Sequence, residues 1–177
     1  MKHLLIIACT GFFSFVYSQN TDHEELFKLF GEIPQQMSSE ELTAHGQTAG
    51  KIPEKFYSYL GFNSLSGSYM VPIGKVEKGN KVIILYMEVA GKEAYNSGKV
   101  AIAYKSIEKK NGEIYMSSHH LLDVGLDGDS KYKGKFEREG SDYIIFHQIS
   151  SEAQGELKSE SSKYKFGKYL EFVEHMD

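Results

Sequence analysis

Val82-Ile83-Ile84-Leu85-Tyr86-Met87 is the one long apolar run of the chain beyond its first eighteen residues, and its reading decides the fold. A run of this length suits a strand better than a helix, and a strand apolar on both faces belongs in the middle of a sheet, with a cover on each side. Before it, Lys78-Gly79-Asn80 supplies a turn, Gly-Asn being a type II′ signal or part of a slightly longer loop, so that Lys81 to Val89 is a strand. Upstream, Tyr69 to Glu77 alternates as a strand interrupted by Pro72, which lacks a ladder donor and is expected at an edge, a strand start or a bulge.

Downstream lies a polar loop, Gly91 to Gly98, and then a strand from Lys99 to Glu108. Asn111-Gly112 is the strongest two-residue hairpin signal in the chain. That turn predicts a register with Lys110 opposite Glu113, Ile107 opposite Met116, Tyr104 opposite His119 and Ile102 opposite Leu121. A slip of one residue exchanges the faces of one strand relative to the other.

Two more strands are expected: Lys131 to Arg138, lysine-rich and so an edge, and Tyr143 to Ile149, apolar and so interior. Ser150 to Ser162 offers only Ala153 and Leu157 for burial and reads as a mobile loop. Tyr164 to Val173 is one strand bent at Gly167, or two short ones. The result is a mainly β fold of six or seven strands, an antiparallel meander sheet curled into a sandwich or an open barrel.

The natural cover for the central strand is a helical segment over residues 19–65, ahead of an antiparallel β domain over 66–177. Asp22 and Glu25 form a helix start, after which Leu26, Leu29, Phe30 and Ile33 share a stripe that Pro34 ends. Ser38 with Glu41 is a second start, anchored only by Leu42 and Ala44, and predicts one turn of helix followed by loop. Pro53 in the first turn, Phe56, Tyr59 and Leu60 on one face and Gly61 as terminator make a third.

Residues 1–18 read as a signal peptide: a positive start at Met1-Lys2-His3, an apolar stretch from Leu4 to Tyr17, and small or aliphatic residues at Val16 and Ser18. Cleavage before Gln19 leaves residues 19–177 as one domain, secreted or periplasmic. The alternative is lipid anchoring at Cys9, since Ile6-Ile7-Ala8-Cys9 fits a lipidation pattern. A membrane span is not expected, the run being shorter than the ~20 residues a crossing helix needs.

With Cys9 removed, the mature chain is cysteine-free and no disulfide holds it. The full chain carries 20 Lys and Arg against 24 Asp and Glu, a net charge of −4 that becomes −5 without Lys2. Mild acidity spread along the chain argues against a nucleic-acid partner.

Candidate chemistry is sparse. Asp123, Asp127 and Asp129 with Ser130 are the best ligand-like cluster for calcium, but the full calcium-loop spacing is missing and Asp-Gly is an ordinary turn pair. His119 and His120 are adjacent on a strand, so their side chains are expected on opposite faces and a shared metal is not. His147 is the one histidine that joins either of them if the strands pair. Glu88 interrupts an apolar strand and needs a partner, for which Lys75 across the hairpin is the candidate. The tyrosines and phenylalanines of Tyr132-x-x-x-Phe136 and Tyr164-x-Phe166-x-x-Tyr169 alternate with lysines, either as a stacking surface for glycans or peptides or as a half-buried edge strand. No nucleophile elbow or phosphate loop is present, and no catalytic, cofactor or metal residue is assigned.

The order of elements carries one resemblance. Short helices at Leu26 to Ile33 and Ile52 to Leu60, then Tyr69-Met70-Val71-Pro72-Ile73-Gly74-Lys75-Val76 and an apolar strand, resemble small exported β-meander proteins of unknown function from Gram-negative envelopes. The likeness spans Leu26 to Asp129 and implies a secreted or lipid-anchored β domain. The expected function is a non-catalytic domain that binds a protein or glycan through its sheet edge and loops. The alternatives are a hydrolase using His119 or His120 with His147 or an acid, and a structural component of the envelope.

Overall fold

A computed structural model of the chain describes residues 23–63, 67–90, 99–125, 132–151 and 157–176. The expected signal peptide and Cys9, the loop Gly91 to Gly98, and Asp127, Asp129 and Ser130 lie outside the described residues. After helix α1 (residues 23–28) come β1 (Gln36–Met37), α2 (Ser39–Thr48), a 3-10 turn (Glu54–Phe56) and α3 (Tyr57–Leu60). Eight strands follow: β2 (Tyr69–Lys78), β3 (Lys81–Ala90), β4 (Lys99–Glu108), β5 (Ile114–Gly125), β6 (Tyr132–Glu139), β7 (Tyr143–Ser151), β8 (Leu157–Phe166) and β9 (Leu170–Met176).

The strands form two antiparallel sheets, neither closed, ordered β2-β3-β4-β5 and β1-β6-β7-β8-β9. Each is a meander of consecutive strands, with the two-residue β1 added beside β6. The fold is therefore an open sandwich with helical cover.

Strand β3 lies between β2 and β4, both antiparallel to it, and Val82 to Met87 are all buried. Alternation divides its side chains. Ile83, Leu85, Met87 and Val89 enter the core between the sheets with Ile102, Leu122, Phe136, Ile144 and Phe146. Val82, Ile84 and Tyr86 face the other way, into a cluster with Leu26, Phe30, Ile52, Phe56 and Leu60 of the helical segment. Each such side chain contributes about 1.5–3 kcal/mol when fully buried, so the helices are part of the core and not an ornament on it.

Pro72 sits on edge strand β2 next to a register shift between Pro72 and Gly74. Gly74 is needed there because the chain at Glu32 and Ile33 crosses directly over it: a Cβ would lie 2.6 Å from the Ile33 backbone. Lys75 N–H donates to Gly31 O at 2.8 Å and ties the crossing down. At the first hairpin Lys78 opposes Lys81, and Gly79 takes φ 58 while Asn80 stays at negative φ.

Several expectations are corrected. Of the first helical stripe, Leu26, Phe30 and Ile33 are buried but Leu29 is exposed, because the helix stops at residue 28 and the chain leaves helical spacing. The Ser38–Glu41 capping box is present, yet α2 runs for 10 residues instead of one turn. Docking overrides its weak propensity: Leu42 and Gly46 are buried, a Cβ on Gly46 would lie 3.4 Å from Met87 Cε, and His45 Nε2–H donates to Pro72 O at 2.8 Å. Ala44, expected as an anchor, is exposed.

The Asn111-Gly112 turn is not a two-residue loop. Gly112 N–H donates to Glu108 O and Glu108 N–H to Glu113 O, so four residues turn the chain, with Gly112 at φ 71. His23 occupies the space beside Gly112 and its Nε2–H donates to Lys109 O at 3.0 Å, fastening α1 to this loop. The register moves accordingly: Ile107 faces Ile114, Ser106 faces Met116, Tyr104 faces Ser118 and Ile102 faces Leu122.

The lysine-rich pattern of Lys131 to Arg138 predicts an edge strand; β6 is covered there only over Phe136 and Glu137, by β1. The chain from Leu157 to Ser162, expected as loop, is the first part of β8, paired with β7. Its side chains are mostly exposed, so it is held by ladder hydrogen bonds without an apolar pattern. Beyond Gly167 the chain returns as β9, so the closing segment is two strands.

Candidate functional site

On the helix-facing side of the four-stranded sheet, one cross-strand row is polar. Glu88 of β3 and Asp123 of β5 both stand opposite Ala101 of β4, which adds only a methyl between them. The alternation of both strands puts these carboxylates on the side away from Val89, Leu122 and Val124, which are in the inter-sheet core.

The histidines reach this row through an irregularity. Between the pairs Ile102–Leu122 and Tyr104–Ser118, three residues of β5, His119 to Leu121, stand opposite Ala103 alone. His120 absorbs the excess with φ 57, the only described non-glycine residue at positive φ. Such a conformation costs a side-chain-bearing residue about 1–2 kcal/mol. A regular strand would send His119 and His120 to opposite faces; the bulge instead lets both line one recess, correcting the expectation from alternation.

That recess has a volume of about 200 Å3. Its opposite wall is the chain leaving α3. Gly61 ends the helix at φ 68, Phe62 N–H donates to Tyr57 O, and the Phe62 ring meets Tyr57 edge-on at 5.0 Å, which fixes its orientation.

Each imidazole is held by an acid. His119 Nδ1 is 2.8 Å from Glu88 Oε1, and His120 Nδ1 is 3.0 Å from Asp123 Oδ1. Asp123 Oδ2 also takes Lys99 Nζ at 2.8 Å, and the Asp123 backbone is clamped by Gln148 of β7, whose side chain accepts from its N–H and donates to its carbonyl. Because a carboxylate accepts, Nδ1 carries the proton in both neutral rings and Nε2 is left as an acceptor. Neither Nε2 has a partner among the described residues.

Lys105 lies under the recess. It is 4% exposed, and its ammonium stands 3.8 Å from where a Cβ on Gly61 would be. Burial lowers its pKa, and the charge of Glu88 opposes that shift. Tyr86, two residues before Glu88 on the same face, has a buried hydroxyl without a partner among the described residues; burial, then repulsion from Glu88, pushes its pKa up. Asp123 is thus paired with Lys99, and the buried Lys105 ammonium adds a second positive charge beside the recess.

The structure separates the other candidates from this site. Lys75 does not pair with Glu88: it opposes Ile84, and its amine donates to Phe27 O at 2.9 Å. His147 belongs to the five-stranded sheet, where Nδ1 bonds Ser161 Oγ at 2.8 Å and Nε2 lies 3.4 Å from Glu137. Of the Asp cluster only Asp123 is described, and no group of three or more metal-ligating side chains occurs among the described residues. In the aromatic stretches Phe136 and Phe166 are buried and Tyr164 meets Phe146 and Phe172 edge-on, as a half-buried strand requires, while Tyr132 is exposed.

Lys99, Lys105 and Phe62 escaped the sequence reading. For Lys105 a signal existed: it shares parity with Ala101, Ala103 and Ile107, all buried, which marks an inward-facing lysine. Lys99 and Phe62 carried none, since their roles depend on the bulge and on the path after Gly61.

Among the described residues no helix is long and apolar enough to cross a membrane. Comparison of the chain with family models, with curated proteins and with solved structures found no match.

Proposed function

We propose that this chain is an exported, non-catalytic domain that binds a protein or glycan ligand in the recess between residues 61–63, which follow α3, and the bulged edge strand β5. The observation that carries the reading is the pair of imidazoles, His119 and His120, each fixed by a carboxylate through Nδ1, lining a concave site. Concave sites with few, convergent and oriented polar groups are where proteins bind ligands. The signal-like residues 1–18 and the resemblance to exported β-meander proteins support a secreted or periplasmic setting.

Glycan arrays and pull-downs with the purified protein test this. Binding that weakens in His119→Ala and His120→Asn is expected. Empty screens, with turnover of ester, glycoside or peptide substrates by the same preparation, overturn it.

One observation favours a second reading, a hydrolase. A histidine whose Nδ1 is held 2.8 Å from a carboxylate is arranged as a general base, with Nε2 available to take a proton from water. That reading requires turnover abolished in both His119→Gln and Glu88→Gln, and no substrate class turned over rejects it.

A further inference from the structure

We infer that the recess takes a neutral sugar, the terminal or pendant residue of a glycan, through its hydroxyl groups; this rests on the binding reading above. Three properties of the site select it. The first is hydrogen-bond polarity. With Nδ1–H committed to carboxylates, His119 and His120 present Nε2 as acceptors, and Glu88 keeps one oxygen beyond the one facing His119. A ligand that fits must bring several donors in a small volume.

Charge is the second. Asp123 is already paired with Lys99 at 2.8 Å and the buried Lys105 ammonium stands beside Gly61 of the recess wall, so a cationic ligand would arrive without compensation and an anionic one would meet carboxylates. A neutral donor-rich ligand avoids both costs. Lys99 spends one N–H on Asp123 and retains donors for the oxygen lone pairs of the same hydroxyls.

The third is shape. The volume of about 200 Å3 limits the occupant to a small group, and Phe62, held edge-on by Tyr57, puts an aromatic side chain into the lining for an apolar C–H face to pack on. Hydroxyls on one side and an apolar face on the other are what a pyranose ring carries.

Titration of the purified protein with neutral, acidic and amino sugars, and with lysine-containing peptides, followed by backbone amide NMR shifts, tests the assignment. Saturable shifts at β5 and Phe62 with neutral sugars are expected, weakened about tenfold or more in His119→Ala and in Phe62→Ala, the loss of about 1.4 kcal/mol of contact. His120→Asn serves if His119→Ala does not fold. Neutral-sugar binding unchanged in every variant that folds overturns the assignment. Preference for amino or acidic sugars, or for peptides, with loss in His119→Ala overturns the neutral-sugar class and leaves the binding domain standing. No binding by any of them overturns the neutral-sugar assignment, and substrate turnover alongside it removes the binding reading as well.

Discussion

His119 Nδ1 lies 2.8 Å from Glu88 Oε1 although the two belong to strands that do not pair, β3 and β5, with β4 between them. The reach across β4 is possible because Ala101 and Ala103 are small and because β5 has two residues more than β4 at that point. The pairing gives Glu88 the partner that an acid in an apolar strand requires, and it orients the imidazole. Bulges that re-aim side chains at sheet edges are common next to sites.

The crossing of residues 31–33 over β2 makes Gly74 intolerant of a side chain. Gly74→Ala is expected to lower stability by about 1–3 kcal/mol, the usual range for overpacking, because backbone and not a flexible side chain must move. Gly31→Ala, with nothing within 4 Å of its Cβ position, is the control and should stay within about 0.5 kcal/mol. Urea unfolding of the two variants decides it; equal midpoints would count against the crossing.

Helix α2 depends on its cap more than on its composition. Glu41 N–H donates to Ser38 Oγ at 3.3 Å and Ser38 N–H to Glu41 Oε2 at 2.7 Å. Ser38→Ala should cost about 1 kcal/mol. Thermal unfolding would show it, and an unchanged midpoint would mean that the docking of Leu42 and Gly46 alone holds the helix.

The contrast between β3 and β8 explains how much was legible in the chain. Val82 to Met87 announced a central strand because burial on two faces demands apolar residues at every position, and Gly79 and Asn80 marked where it begins. Leu157 to Ser162 announced nothing, since its side chains are exposed and backbone bonds to β7 leave no trace in residue type. The partner of Glu88 was hidden for a different reason: a regular register from Asn111-Gly112 sets Tyr104 against His119, and only a four-residue turn and a bulge bring His119 to Glu88. Turn signals reveal that a hairpin exists more readily than how many residues it spends.

Burial of Lys105 has a pH signature. Its folded pKa is lowered, first by desolvation and with partial relief from Glu88, so between that value and the ordinary lysine value of about 10.4 the unfolded chain holds a proton the folded chain has lost. Stability from this group therefore rises with pH across that window, the cost of the buried charge being full below it. Lys105→Met should flatten the rise when urea midpoints are compared at stepped alkaline pH. Slope is the readout, because Met also leaves Glu88 with one countercharge fewer; an unaltered slope would show that Lys105 is not the group responsible.

Tyrosines act in the opposite sense. Burial, with smaller contributions from Tyr164 and Tyr169, pushes the Tyr104 hydroxyl up to about 12. The unfolded chain ionises near the ordinary value of about 10, so this contribution is intact below that pH and is lost as pH rises toward the folded value. Tyr104→Phe should make the alkaline loss of stability shallower. Tyrosinate absorbance and helical and sheet signal followed together would check it, and an alkaline limb as steep as in the parent would reject it.

His120 is where stability and binding pull apart. Its φ of 57 suits glycine, and nothing in the packing of its half-exposed ring compensates: its bond to Asp123 is on the surface, where such pairs are worth about 0–1 kcal/mol. Relief of a strain of about 1–2 kcal/mol should therefore outweigh the lost pair and the added chain entropy, and His120→Gly is expected to match or slightly exceed the parent in unfolding free energy. Ligand binding in the recess should fall, because an oriented acceptor is gone. A residue kept in an unfavourable conformation with no benefit to folding is explained if its imidazole serves the recess. Marked destabilisation of His120→Gly, with binding intact, would instead make His120 a structural part of the bulge.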